Sequence, residues 1–430
     1  GYTIQTLTLN YPIADQVGTL NITNDQMNRY DNGSSAWFAV PTSTVTSTYS
    51  SSGSFYPNQD VVKFNNNDYT IRFNNTQNTY TWLPTSGTQD WTVASNWTPA
   101  RVIPADNDIL LFNQGGTSVA NNVPTQTIAQ FLVSNNTNIT IRGAAGGLRT
   151  LTVNGAAATN NLSVATGSTL QINDVSGTNG ITLAMGATAG QLANIAGNMF
   201  VNYLGTYTPN TTAVTFTSSS EYRHTRDGGT IPGGSTVIWQ AGSTLNITGV
   251  NSSISIPQPW NGNFGNIIWN SNGTGVFPSF LLNVYGNLSV LKGTLTLTTG
   301  QSTNLYGSAT PSIAGNLTND GVLNTTNHTI IMVGTNGLQT ISGSGIWNAG
   351  LNGTLHALVV NNASNVNLNS SFAIKYALTL TAGVLNSSNS STLTFGAGGG
   401  LTVNRSNGSI GAGLNTAFNV LTNPYDVNYF

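Results

Sequence analysis

The sequence predicts an all-β fold: a right-handed parallel β-helix-like solenoid preceded by a smaller N-terminal β-domain or cap. Three observations carry this. Apolar and hydroxyl residues alternate in short runs, as in Thr150-Leu151-Thr152-Val153 and Thr294-Leu295-Thr296-Leu297, which puts apolar groups on one face of a strand. Two sequence elements recur in the same order at almost the same spacing, which points to stacked repeats. Charge is nearly absent: eleven Lys and Arg and thirteen Asp and Glu make up 6% of 430 residues. One Glu and three Lys cannot furnish long helices, and no segment shows sustained apolar spacing at helical period. Ala184 to Met199 comes nearest, and Gly186, Gly190 and Gly197 weigh against it.

Residues 1–80 read as an N-terminal β-domain or cap. They hold five of the thirteen acids, lack the repeated elements, and open with a strictly alternating run from Tyr2 to Leu9. Ser43 to Ser54 is a Ser/Thr tract that suits an edge strand or a loop. An open-ended solenoid needs such a cap to block end-to-end strand pairing. Residues 81–127 form a Trp-motif segment, Asp90-Trp91-Thr92-Val93-Ala94-Ser95-Asn96-Trp97-Thr98-Pro99 followed by Pro104-Ala105-Asp106-Asn107-Asp108-Ile109-Leu110.

Residues 128–430 hold the repeats, with copies near 128–170, 264–297 and 355–385. The first element is Ile128 to Asn135, Phe264 to Asn270 and Leu355 to Asn361. The second is Leu162-Ser163-Val164-Ala165-Thr166-Gly167, Leu288-Ser289-Val290-Leu291-Lys292-Gly293 and Leu378-Thr379-Leu380-Thr381-Ala382-Gly383, with a shortened relative at Leu317 to Asn324. Short strands, corners that accept positive φ, and Asn that ladders between coils suit a parallel β-helix of about 20–25 residues per coil. A row of β-sandwiches is the rival architecture.

These motifs resemble those of large β-helical, adhesin-like surface proteins. The Trp-motif segment is similar to a W…NW-x-P…P-x-x-x-D block that opens β-helical units in bacterial surface proteins. Glu221 to Pro232, Trp239 to Gly249 and Phe264 to Asn270 look like a block of secreted Bacteroidota proteins. Residues 287–299 and 355–385 approximate their FNNLTIN and GNLTVNGTLTLTNG elements. The resemblance covers roughly residues 80–430 and implies cargo of the type IX secretion system, exported by that secretion machinery to the cell surface. The sorting domain of that group is not matched, and the strand-like ending Asp426 to Phe430 suggests a longer parent chain.

The site candidates are few. Asp106 and Asp108 are the candidate metal ligands, with Ca²⁺ the ion that carboxylates and backbone carbonyls would take. The competing reading is a turn leading into a strand. Trp260, within Pro257-Gln258-Pro259-Trp260-Asn261-Gly262, is the candidate glycan-facing aromatic, whereas Trp91, Trp97, Trp239 and Trp269 are expected in the core. Glu221, Tyr222, Arg223, His224, Arg226 and Asp227 form the densest polar cluster. Strand alternation places Glu221 and Arg223 on one face and Tyr222 and His224 on the other, which suits cross-coil pairing as well as acid–base chemistry. His328 and His356 stand singly in apolar strands and read as packing residues.

Composition excludes several classes. No cation cluster exists to bind nucleic acid, no Cys to form a thiolate or disulfide site, and no apolar run long enough to span a bilayer. From Gly228 to Tyr425 there is one acid, Asp320, so a carboxylate pair for sugar hydrolysis is scarcely available. The expectation is a non-catalytic protein without a cofactor, extracellular or on the outer cell surface, structural or adhesive in role. Its partners would be copies of itself, in a fibre or surface layer, and glycans or other surface polymers. The alternative is the stalk or substrate-presenting region of a secreted polysaccharide-degrading enzyme.

Overall fold

A computed structural model describes residues 78–418 except 174–178, 258–262, 278–281, 298–311, 314, 335–336 and 396–400. It also describes the backbone of strands at 7–10, 26–31, 36–39, 44–47, 50–53, 67–72 and 426–429. The chain divides into two units, Gly1–Asn78 and Thr79–Phe430. In the first, Leu7–Asn10 pairs antiparallel with Ser50–Gly53, which pairs antiparallel with Thr44–Ser47, so the Ser/Thr tract contributes two strands. Gln26–Asp31 lies between Ala36–Ala39 and Asn67–Arg72, again antiparallel.

The second unit is a β-solenoid. Its described strands pair parallel, apart from the short antiparallel strand Trp97–Thr98 beside Thr79–Trp82 and one isolated bridge. Parallel ladders between consecutive coils are incompatible with a row of antiparallel sandwiches. Among the described residues the one helical element is the single 3-10 turn Ala94–Asn96, and no helix is long and apolar enough to cross a membrane. The glycine-interrupted stretch from 184 to 199 belongs to the strands Ile181–Met185, Leu192–Ile195 and Asn198–Asn202.

Each coil visits up to three faces. The first face stacks Thr79–Trp82, Ile109–Phe112, Gln130–Val133, Asn160–Val164, Leu192–Ile195, Ala213–Phe216 and Val237–Trp239. The second runs from Ser86–Asp90 through Thr117–Val123, Asn138–Gly143, Thr169–Ile172, Asn198–Asn202 and Glu221–Thr225 to Thr244–Ile247 and beyond. The third stacks Gln126–Ile128, Arg149–Val153, Ile181–Met185 and Gly205–Thr208. Farther on, single long strands turn a corner between faces. Asn266–Phe277 pairs through 266–269 with Thr244–Ile247 and through 274–276 with Ser253–Ser255.

Strand alternation sends every second residue inward, and the stacked coils cover those residues. Leu110, Phe131, Leu162, Ala193, Val214 and Val237 succeed one another in register and are buried. Burying a Leu, Val or Phe side chain contributes about 1.5–3 kcal/mol. Phe216 stacks on Trp239 of the next coil with centroids 4.1 Å apart. The spacings along that column are 21, 31, 31, 21 and 23 residues, so the longer coils exceed the expected period. Strand length changes little between them. The surplus lies in corners such as 144–148 and 154–159, where the 21-residue coil uses only 124–125 and 129.

The two recurring elements are vertical neighbours. Phe131 sits beside Leu162, Ile267 beside Leu288 and Leu358 beside Leu378, in each case one coil on. The closing Gly167, Gly293 and Gly383 of the second element all have positive φ, at 80°, 55° and 79°. At Gly383 a Cβ would also lie 1.8 Å from the Asn362 carbonyl oxygen, so the corner needs glycine twice over.

Candidate functional site

Because the strands stack in register, one outward position becomes a column. At the start of the second face that column reads Ser86, Thr117, Asn138, Thr169, Asn198, Glu221, Thr244 and Asn266. Asn287, Asn316 and Thr340 continue it, as hydrogen bonds between neighbours show. The Asn266 Oδ1 accepts from the Asn287 N–H at 2.9 Å, and the Asn287 Oδ1 from the Asn316 N–H at 2.9 Å. The Asn316 Oδ1 in turn accepts from the Thr340 N–H at 2.8 Å. Earlier in the column each Asn amide reaches back to a Thr hydroxyl, Asn138 to Thr117 at 3.3 Å and Asn198 to Thr169 at 3.4 Å.

The third face carries two columns of threonine. Thr150, Thr182 and Thr206 form one, and Thr127, Thr152, Ala184 and Thr208 the other. The Thr150 N–H donates to the Thr125 hydroxyl at 3.2 Å, which carries the first column one coil further. Adjacent coils lie about 4.8 Å apart, so these are regular arrays of hydroxyls and amides. Glu221 is the single charge in the long column, with Asn198 and Thr244 as its neighbours.

The cluster around Glu221 is divided by the strand as alternation requires. Outside, Glu221 and Arg223 form a two-point ion pair, both bonds 2.9 Å, and the Asn246 amide donates to Glu221 at 2.7 Å. Inside, His224 is fully buried and its Nε2 lies 2.8 Å from the Gly228 carbonyl. Burial pulls its pKa down to about 4. Arg226 donates from Nη1 to the Gly205 carbonyl and the Thr206 hydroxyl, and so binds the end strand of the four-stranded third-face sheet.

Asp227 accepts the Asn251 and Ser252 N–H groups at 2.9 and 3.0 Å and the Ser252 hydroxyl at 2.8 Å. These bonds, the Ser252 backbone first, hold its carboxyl below the ordinary range. Asp320 accepts the Ser344 N–H at 2.9 Å, again one coil on. Asp90 is bound by the Thr92 N–H, the Thr92 hydroxyl and the Asn122 amide at 2.7–2.8 Å. Burial works to raise its pKa, and these bonds outweigh it. The carboxylates of Asp90, Glu221, Asp227 and Asp320 therefore act as ties within or between coils.

The Trp-motif segment supplies the first coil. Trp82, Trp91, Trp97 and Phe112 pack edge-on, tilted or stacked, with centroids 4.9–6.4 Å apart. Arg101 lies over this cluster, 5.6 Å from the Trp97 ring. Asp108 is fully buried and its Oδ2 accepts from Arg101 Nε at 2.8 Å and from the Ala105 N–H at 3.0 Å, with the Arg101 Nη2 also 2.8 Å away in the ion pair. Asp106 is exposed on the same turn. The two candidate metal ligands thus face opposite ways, and a guanidinium occupies the position at Asp108 that a cation would take. No group of three or more His, Cys, Asp or Glu able to hold a metal occurs among the described residues.

Trp260 lies outside the described residues. Trp91, Trp97, Trp239 and Trp269 are core residues, at most 2% exposed, and Trp82 and Trp347 join them. His328 is buried and His356 half-buried, with rings in consecutive coils, as Thr329 pairs with Ala357. Arg101 was not expected from the sequence. The signal available was a lone Arg, seven residues before Asp108, in a chain with almost no charge. Comparison with protein-family models, curated proteins and solved structures finds no match.

Proposed function

We propose that the chain is a non-catalytic structural or adhesive protein of the extracellular space or outer cell surface, working through its columns of amides and hydroxyls. The observation that carries this reading is the polar column from Ser86 to Thr340, with one charge along its length. Such a surface offers closely spaced donors and acceptors with no long-range repulsion, so it suits contact with another regular polar surface. A second copy of the chain or a polysaccharide provides one. The engagement of Asp90, Asp227 and Asp320 in backbone ties supports a structural role, because a general acid or base needs a carboxyl free to exchange protons with a substrate.

Negative-stain imaging and adsorption assays on purified protein test the proposal. Wild-type protein forms lateral assemblies or adsorbs to insoluble polysaccharide, and Thr150→Lys with Thr182→Lys weakens it in a salt-dependent way. Dispersed short rods that adsorb to neither overturn the proposal. Turnover of a polysaccharide that is lost in Glu221→Gln overturns its non-catalytic part.

A further inference from the structure

The interior around residue 222 carries polar groups among aromatic neighbours, with Phe216 and Trp239 packed edge-on to the Tyr222 ring. Tyr207 projects inward from the end strand of the third-face sheet, and Tyr222 and His224 project inward from the second face. Tyr207 is 1% exposed, and Tyr222 and His224 are fully buried. The Tyr222 and His224 rings lie 6.4 Å apart, and Arg226 is tied to the Gly205–Thr208 strand that carries Tyr207. Four buried polar atoms here have no protein hydrogen-bond partner: Tyr207 Oη, Tyr222 Oη, His224 Nδ1 and Arg226 Nε. A buried polar atom left without a partner is costly, and several gathered together are normally satisfied by ordered water.

The hydrogen-bonding roles identify the occupant. A carbonyl oxygen can only accept, so the Gly228 carbonyl fixes the His224 proton on Nε2 and leaves Nδ1 a lone-pair acceptor. Arg226 Nε is a donor, and each Tyr hydroxyl both donates and accepts. An anion would be repelled by the Nδ1 lone pair, and a cation by the guanidinium. Water donates two bonds and accepts two, and so matches a mixed set. We propose that the solenoid binds internal water between Tyr207, Tyr222, His224 and Arg226, as a fixed polar link between its second and third faces.

A crystal structure at a resolution that shows ordered solvent, with Tyr207→Phe, Tyr222→Phe and the double variant, tests this. The expected density is at least one water within hydrogen-bond distance of three of the four atoms. Each single variant lowers Tm by about 1–3 °C, and the double variant lowers it by less than the two added together, because both phenols bind the same water. A dry interior at these four atoms overturns the proposal. So does a Tm that is unchanged or raised in either Phe variant, the result expected if removing an unsatisfied hydroxyl relieves a cost.

Discussion

Asn266, Asn287 and Asn316 occupy three consecutive coils, and replacing all three with Asp would separate shape from charge. Each Asp keeps the side-chain oxygen that accepts the backbone N–H of the next coil. Each Asp loses the amide donor, which at Asn266 reaches the Ser243 carbonyl and the Thr244 hydroxyl, a cost already present in the single variants. What the triple variant adds is like charges recurring about every 4.8 Å along the solenoid. In water-like surroundings such a neighbouring pair repels by about 1 kcal/mol, and the outer pair by about half as much. The triple variant is therefore about 2 kcal/mol less stable than the sum of its three single variants. Urea unfolding at low salt and pH 7 measures that excess. In 1 M salt the screening length falls to about 3 Å and most of the excess disappears. Repulsion raises the folded-state carboxyl pKa values above the unfolded value of about 3.9, so stability is lost as pH rises through that range and returns below it. An excess that is zero at low salt and neutral pH refutes the in-register column.

Four further outcomes follow from the geometry. Arg101→Leu strands the buried Asp108 carboxylate and costs about 3–5 kcal/mol, and adding Asp108→Leu recovers much of it, read by a double-mutant cycle. Trp97→Ala opens the Trp82–Trp91–Phe112 cluster and costs about 3–5 kcal/mol in thermal unfolding. Gly383→Ala meets both a positive φ and the Asn362 carbonyl, so it lowers stability by more than the ~1 kcal/mol of an unfavourable φ alone, measured by urea unfolding. Burial pulls His224 and His328 down to about 4 from an ordinary 6.5. The unfolded chain then binds protons that the folded chain does not, so stability falls as pH drops from about 6.5 to about 4. Each His contributes about 3 kcal/mol to that loss, and His328→Leu flattens the profile.

Much of the solenoid was legible in the sequence because its determinants are local. Alternation sets which residues point inward, as with Tyr222 and His224 against Glu221 and Arg223. The recurring elements were legible because a Leu-rich strand ending in a left-handed Gly corner has the same local chemistry wherever it occurs. Their physical meaning was not. Phe131–Leu162 and Leu358–Leu378 lie on the first face, whereas Ile267–Leu288 lies on the second. A shared sequence therefore marks a stacked pair and not a fixed position around the coil.

The polar column was hidden because coil length varies in the corners, so Asn138, Thr169 and Asn198 have no constant spacing until the strands are paired. Asp106 and Asp108 were candidate ligands because carboxylates and backbone carbonyls suit Ca²⁺, and the competing reading was a turn leading into a strand. A turn is what holds them, and it sends Asp108 inward to Arg101 and leaves Asp106 outside.

Distances between spin labels along the column test the account most directly, and the lack of Cys makes labelling clean. Thr117 and Asn198 are three coils apart, Asn198 and Asn316 five, and Thr117 and Asn316 eight. At about 4.8 Å per coil, the backbone separations are about 14, 24 and 38 Å, the last the sum of the first two. Pulsed dipolar spectroscopy on cysteine pairs at these positions should return that additive series after allowance for the labels. A Thr117–Asn316 distance far below the sum of the other two would contradict a continuous in-register solenoid, and with it the polar column on which the proposed function rests.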